Sequence, residues 1–366
     1  MRHETEILIL QPTPFCNLHC TYCYLDTIDN KGLMSPATLD AILSGVAESG
    51  LVGKRLRINW HAGEPLAVPI SFYEYAFESV KEKLCDVDVV HAIQTNATLI
   101  SDAWCDLFLK YDVSIGVSLD GPKHVHDAYR VDRKRRGSFE ATMRGLDLVR
   151  RRGLEWGVLF TVTDRSLAEP ELVWDFFEDH GLVDIAHNVE QIQGASKASS
   201  VFTDDDVSRY SQFIGRYLER RKSGKYAPEL REVKRIERLL REGSRLRHVH
   251  PEGRPMRIVS FDYLGNMSTF SPPLLGLHTR EFGTLSFGNI HDTSIDQMIE
   301  SEKFKAVCAA IDKGVKSCRS ECDYFRFCGG GKPIAKLGEY GDFATTETQQ
   351  CRLEVKTLVD AITHVN

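Results

Sequence analysis

The sequence is poor in several features whose absence narrows its class. No stretch is apolar for long enough to cross a bilayer, and the amino end carries no secretory signal pattern. No internal repeat or low-complexity tract occurs. Positive charge is not in excess: 46 Lys and Arg stand against 52 Asp and Glu, so nucleic acid is not an expected partner, and neither is a membrane. Between Cys105 and Cys308 there is no cysteine at all. These absences, with 366 residues of ordinary globular composition, lead us to expect a cytoplasmic protein with one large domain and a smaller one.

What the chain does have is clustered cysteine, ten in all. Disulfides rarely persist in the cytoplasm, so clustered cysteines there read as metal ligands or catalytic groups. Three lie at positions 16, 20 and 23, and four at 318, 322, 328 and 351. Cys85, Cys105 and Cys308 stand alone and are expected to be small packing hydrophobes.

The first half alternates strand and helix patterns. Strands are expected at 6–11, 56–60, 89–95, 113–119, 156–162 and 184–189, and helices near 35–49, 101–111 and 138–152, the first capped by Ser35 with Pro36 behind it. This βα repetition implies a parallel sheet of barrel type, with functional residues after the carboxyl ends of its strands. Residues 203–243 read as two helices. From 209 to 257 there are 15 Lys/Arg and 6 Asp/Glu, either a solvated helical face or a surface for an acidic partner. A hairpin is expected from 256–262 and 266–270, then a helix near 294–313.

Three thiolates on one short loop, Cys16, Cys20 and Cys23, can each bind a different iron of a cubane and leave the fourth iron open to a ligand. A zinc site that uses His19 as fourth ligand is the alternative. This loop, with Tyr22 before the last cysteine, resembles that of the radical S-adenosylmethionine (SAM) superfamily. The resemblance implies a SAM-binding [4Fe-4S] cluster at Cys16, Cys20 and Cys23. The reduced cluster cleaves SAM to a 5′-deoxyadenosyl radical, with electrons from an external donor of flavodoxin or ferredoxin type. Further segments resemble family motifs. Ala62-Gly63-Glu64-Pro65 is similar to the segment that contacts the methionine amine. Gln94-Thr95-Asn96-Ala97-Thr98 is similar to one with Gly where Ala97 stands. Ser118-Leu119-Asp120-Gly121-Pro122, followed by Arg130, is similar to a run in peptide-modifying members. Tyr22, Gly63, Glu64, Asn96, Ser118 and Arg130 are thereby the expected cofactor-binding residues.

The second group, Cys318, Cys322, Cys328 and Cys351, supplies four thiolates. Gly329-Gly330-Gly331 has little bulk, so its backbone can approach a cluster; a zinc ribbon is the alternative. The region resembles the SPASM extension, whose full form holds two auxiliary clusters. The outer set matches these four cysteines. The inner set would need cysteine at Lys332 and near Phe270, so one auxiliary [4Fe-4S] cluster is expected.

The implied architecture is an α/β partial (β/α)6 TIM-type barrel at 1–190, a helical insert at 191–255 and a SPASM-like iron–sulfur domain at 256–366. The implied activity is maturation of a ribosomally made precursor peptide, most similar to the branch that joins an aromatic ring to a β-carbon as a cyclophane. A sulfatase-maturing, formylglycine-forming enzyme is the alternative. It is disfavoured by the missing inner-cluster ligands and by Ser271, which stands where those enzymes carry an acid. A non-catalytic iron–sulfur redox or peptide-binding protein is the alternative of another class, and SAM cleavage discriminates it. Asp262, Glu190 and Tyr263 are candidate general bases, and His187, Asn188 and Gln191 candidate cavity residues. Since the first strand begins almost at the amino end, peptide recognition is expected to use the helical insert, including Arg235 and Arg238, the C-terminal region or another protein.

Overall fold

Leu8 and Leu10 of β1 (Thr5–Leu10) are wholly buried, as are Ile58 and Trp60 of β2 (Val52–Trp60). Ile93 is buried in β3 (Asp88–Thr95), and β4 (Val113–Ser118), β5 (Trp156–Val162) and β6 (Asp184–Val189) largely alternate buried with half-buried residues, as strands with two differently covered faces do. The six are parallel and hydrogen-bonded in chain order, so the chain forms the expected partial (β/α)6 barrel. The computed structural model describes residues 4–224, 228–242 and 249–365.

The helices that return the chain are α1 (Pro36–Glu48), α2 (Ile70–Lys83), α3 (Asp102–Tyr111), α4 (Lys123–Tyr129), α5 (Phe139–Arg151), α6 (Asp164–Ala168) and α7 (Pro170–Asp179). Ser35 caps α1 by accepting from the Thr38 amide at 3.0 Å, with Pro36 at the first helical position. Trp60 packs edge-on against Phe72, Tyr73 and Phe77 of α2, which fastens this helix to the sheet.

The expected hairpin is present as β8 (Ile258–Phe261) and β9 (Asn266–Thr269), after α8 (Asp204–Lys222), β7 (Glu229–Leu230) and α9 (Arg231–Glu242). Its place was not legible: β8 adds in parallel to β1, Ile7 opposite Ile258 and Leu10 opposite Phe261. The C-terminal part thus continues the barrel sheet, which reaches ten strands once β7 and β12 (Gly288–Asn289) join its edges. A separate pair, β10 (His278–Thr279) and β11 (Gly283–Thr284), follows η-type turn Pro272–Leu274.

The helix expected at 294–313 is two helices. Ser301 breaks the run and its Oγ caps the second, so α10 (Ile295–Glu300) is followed by α11 (Glu302–Glu321), which carries Cys318 on its last turns. Then come α12 (Phe325–Cys328), α13 (Pro333–Tyr340), the single turn α14 (Gln349–Cys351), a π-helical segment Arg352–Thr357 and α15 (Leu358–Val365).

Two expectations are corrected. Cys105 is buried, but Cys85 is exposed and Cys308 only half-buried, because Cys85 falls in the turn between α2 and β3. Part of the basic excess of the insert is paired with carboxylates from elsewhere. Arg220 is held by Glu171, Asp175 and Glu178 of α7, Arg221 pairs with Glu237, and Arg257 pairs with Glu6. The partners of Arg220 and Arg257 lie outside the counted window, whereas Glu237, the partner of Arg221, lies within it.

Candidate functional site

At the carboxyl ends of the parallel strands lies a cavity of ≈ 340 Å³. Cys16, Cys20 and Cys23, in the loop after β1, line it together with Gly63, Glu64, Asn96, Ser118 and Arg130 from the ends of β2, β3 and β4 and beyond. All nine sequence-derived candidates of the first half, Tyr22 included, therefore meet in one place.

The cysteine loop is held by backbone bonds rather than by its own side chains. Cys16 N–H donates to the Ile28 carbonyl at 3.1 Å, His19 N–H to Val131 at 2.7 Å and Thr21 N–H to Tyr129 at 3.0 Å. His19 is exposed and stays outside the cavity, so it does not complete a four-ligand zinc site with the three thiols. The Leu18 N–H donates to Cys16 Sγ at 3.4 Å. Burial pushes all three thiols up, Cys20 to about 11. Ligation demands thiolates, so only a strongly cationic occupant can draw them into that form, and loading releases protons.

Gly63 explains how the second segment reaches the loop. Its φ is +56°, and a Cβ there would stand 2.5 Å from the Thr13 and Phe15 carbonyl oxygens. That close approach lets the Glu64 N–H donate to the Phe15 carbonyl at 2.7 Å. Ala62 and Ala97 also have left-handed φ, +68° and +62°, so the non-glycine residues of these two motifs carry strain that glycine would avoid. Glu64 is 1 % exposed, and burial raises its carboxyl. Its Oε1 accepts from the Leu66 N–H at 3.0 Å and Thr95 Oγ1 at 2.6 Å, and its Oε2 from the Asn96 N–H at 2.9 Å. A carboxylate has about four acceptor positions, so one remains toward the cavity. Asn96 in turn donates to Asn17 Oδ1 at 2.8 Å and lies 3.9 Å from Cys16 Sγ, tying the end of β3 to the cysteine loop.

Arg130 and Tyr22 meet on a residue not singled out from sequence. Asp120 takes Arg130 in a two-pronged pair (2.9 and 3.1 Å), accepts the Tyr22 hydroxyl, and accepts the Thr161 N–H at 2.9 Å. The guanidinium also lies over the Tyr22 ring, 5.4 Å from its centroid. Asp120 stands in the quoted run 118–122, but nothing in its local sequence marks it as the shared anchor of three strand ends.

The other candidates separate. Glu190, Asn188 and Gln191 line the cavity. His187 does not: it is buried on the other face of β6, with Nε2 2.7 Å from the Tyr210 hydroxyl of α8. Successive strand residues face opposite ways, which is why 187 and 188 part company. Asp262 and Tyr263 are also outside. Asp262 Oδ1 accepts from the Leu264 and Asn266 amides, stapling the hairpin turn, and the Tyr263 hydroxyl accepts from Asn30.

Cys318, Cys322, Cys328 and Cys351 line a second, smaller cavity of ≈ 50 Å³. Gly329, Gly330 and Gly331 all have positive φ, and the Gly330 N–H donates to Cys328 Sγ at 3.4 Å, the backbone approach expected of a glycine run beside a cluster. Lys336, 5 % exposed, points Nζ at Cys318 Sγ (3.3 Å). Among the described residues no three His, Cys, Asp or Glu are gathered as one metal ion requires. A cluster spreads its ligands over several irons and needs an enclosed space of its own, and four thiols around a small cavity with amide and ammonium donors fit that group. Arg235, expected on a peptide-binding face, lines this cavity and donates to the Phe327 carbonyl at 3.0 Å.

Lys332 lines both cavities and pairs with Glu354 Oε2 at 3.2 Å. Glu354 also accepts from the Val189 N–H at 2.8 Å and Gln350 Nε2 at 2.7 Å. Burial raises the Glu354 carboxyl, but Lys332, the Val189 amide and Gln350 together more than offset it, leaving the group below its ordinary value. Where the inner cluster would require a cysteine, the chain has the half-buried cation of an ion pair.

The sequence matches the Radical SAM superfamily over residues 10–176. The uncharacterized protein sll1766 of Synechocystis is 36 % identical over 363 residues, covering 98 % of this chain and 91 % of that protein. A serine-type anaerobic sulfatase-maturating enzyme of Bacteroides thetaiotaomicron is 35 % identical over 170 residues, 45 % of this chain and 41 % of its own length. The match thus spans less than half of that named relative. Among solved structures, native anSMEcpe with bound AdoMet superposes with a TM-score of 0.80 at 19 % identity, covering 98 % of both chains. Streptococcus suis SuiB bound to precursor peptide SuiA superposes at 0.62 and 16 % identity, covering 92 % of this chain and 74 % of that one. At such identities the likeness speaks for the fold. No helix among the described residues is long and apolar enough to cross a membrane. With the three-cysteine loop at the mouth of a partial barrel and a relative aligned over almost its full length, this chain belongs to the radical SAM superfamily.

Proposed function

We propose that this radical SAM enzyme oxidises a side chain of a peptide or protein by two electrons. The observation that carries the reading is the sharing of Lys332 by two cysteine-lined cavities, one of ≈ 340 Å³ and one of ≈ 50 Å³. When bound, SAM and a reduced [4Fe-4S] cluster supply a 5′-deoxyadenosyl radical able to take an unactivated hydrogen. Cys16, Cys20 and Cys23 hold that cluster. Tyr22, Gly63, Glu64, Asn96, Ser118 and Arg130 hold SAM, with Arg130 oriented by Asp120 so that its position is set before any ligand arrives. Cys318, Cys322, Cys328 and Cys351 hold one auxiliary cluster, closed to substrate and suited to accept an electron. An external flavodoxin or ferredoxin type of donor serves the first site. The barrel at 1–190, the insert at 191–255 and the domain at 256–366 are the parts of this arrangement.

The named relatives favour oxidation of a Ser or Cys side chain to an aldehyde, as in sulfatase maturation. One argument against that outcome weakens in three dimensions, because Ser271 has a carboxylate beside it: its hydroxyl donates to Glu252. A carbon–carbon crosslink in a ribosomal peptide is the second reading. The specific observation in its favour is the replacement of inner-cluster ligation by the Lys332–Glu354 pair. Reduced, reconstituted enzyme incubated with peptides of both kinds tests the two. Aldehyde capture by a hydrazide supports the first. Loss of two hydrogens with a fragmentation gap between two linked residues supports the second. Absence of 5′-deoxyadenosine in both sets refutes the whole reading.

A further inference from the structure

We propose that Glu252 is the proton acceptor of this site, an assignment that rests on the two-electron oxidation proposed above. Glu252 lies in the short turn Pro251–Gly253 and lines the same cavity as the thiols of Cys16, Cys20 and Cys23. Four carboxylates reach this cavity or its wall, and three are committed to building it. Glu64 takes three hydrogen bonds that order the loops after β2 and β3. Asp120 is occupied by Arg130, Tyr22 and the Thr161 amide. Glu190 is tied to both the amide and the hydroxyl of Ser200. Glu252 receives a single hydrogen bond to its carboxylate among the described residues, from Ser271 Oγ onto Oε2.

The chain accepts a cost to present this pair. Phe270, 1 % exposed, has φ +72°, a left-handed conformation that is an outlier for a bulky side chain. That turn precedes Ser271 and places Pro272 and Pro273 on the cavity wall. Burial raises the Glu252 carboxyl above its ordinary range, and nearby Lys332 opposes the rise. A carboxylate of raised basicity is the better acceptor near neutral pH.

The balance is as follows. The substrate Cβ–H breaks, and its hydrogen atom leaves with the 5′-deoxyadenosyl group. One electron leaves, and its acceptor would be an oxidised [4Fe-4S] cluster, which Cys318, Cys322, Cys328 and Cys351 would hold. One proton leaves to Glu252, turning the carboxylate into the acid. For a Ser or Cys side chain the proton comes from O–H or S–H and a C=O or C=S bond forms. For a crosslink it comes from the ring C–H, and a bond between Cβ and the ring carbon forms.

The test uses the reconstituted holoenzyme and two probe peptides. One carries β-deuterated Ser or Cys, and the other a β-deuterated residue near Phe, Tyr or Trp. In Glu252→Gln, deuterium transfer into 5′-deoxyadenosine persists while product formation falls by about 100-fold or more. Persisting transfer also shows that the variant folds and cleaves SAM. Glu252→Asp restores part of the product, and Ser271→Ala lowers it less than Glu252→Gln does. Product formation by Glu252→Gln equal to the unsubstituted enzyme overturns the assignment alone, as does a selective loss in Glu190→Gln instead. If the unsubstituted enzyme transfers no deuterium from either peptide, the underlying reading falls and the assignment with it.

Discussion

The two cysteine groups use the same ligand chemistry but differ in how much of the site the chain closes. The first offers three thiols from one loop to a cavity of ≈ 340 Å³, and the remaining wall comes from five other strand ends together with Arg130, Glu252, Pro272, Pro273 and Lys332. The second gathers four thiols from α11, its C-cap, α12 and α14 around ≈ 50 Å³, with glycine amides and a lysine filling the gaps. A loop with an incomplete ligand set beside open space is suited to bind and react. A complete set in a closed space is suited to store charge and brace the fold. Lys332, on the wall between them, marks where the two regions meet.

The comparison is broken most directly by removing one thiol from each side. Cys20→Ala lowers 5′-deoxyadenosine formation by on the order of 10³-fold or more, as when one member of a catalytic unit is removed. Cys351→Ala leaves SAM cleavage measurable while its iron content drops by one cluster. Iron analysis and chromatography of the nucleoside check both, and equal loss of cleavage in the two variants would erase the distinction.

Next in size is the anchor of the open site. Asp120→Asn leaves the buried Arg130 guanidinium without its counter-charge, which costs about 3–5 kcal/mol. Denaturant unfolding of the apo protein measures it. A change below about 1 kcal/mol would mean that solvent already reaches the pair.

The helical insert gives a smaller contrast. Arg235 faces the closed cavity and Arg238 is exposed. Arg235→Glu therefore costs about 2–3 kcal/mol, and Arg238→Glu stays within about 0.5 kcal/mol. Equal effects on peptide affinity from the two would restore the insert as a binding face. The smallest effect is expected at Lys336→Met. Loss of an ammonium 3.3 Å from Cys318 Sγ makes the auxiliary cluster harder to reduce, seen as a more negative midpoint in an EPR titration, with 5′-deoxyadenosine formation unchanged.

Much of this was open to reading along the chain. All six barrel strands and both cysteine groups were legible because their signals are local: apolar runs, turn residues and short ligand spacings. Gly63 was legible as part of a motif, although the reason for it, the Thr13 and Phe15 carbonyls at 2.5 Å, is not in its neighbourhood in sequence. His187 and Asn188 could not be told apart without knowing which face of β6 met the cavity. Asp262 and Tyr263 looked catalytic by residue type, but Asp262 staples the hairpin turn and the Tyr263 hydroxyl accepts from Asn30, both outside the cavity. Glu252 carried no signal at all, being one acid in a basic stretch.

By itself the sequence determined that three thiols would share one loop, that four more would lie near the carboxyl end, and that parallel βα units would carry the first set at strand ends. These follow from spacing and periodicity, which act over a few residues. Only the tertiary structure decided that β8 would join β1, that Lys332 and Glu354 would separate the two cavities, and that Glu252 would reach Ser271 at the open one. Those are meetings of residues far apart in the chain, set by packing of the whole sheet rather than by any local preference.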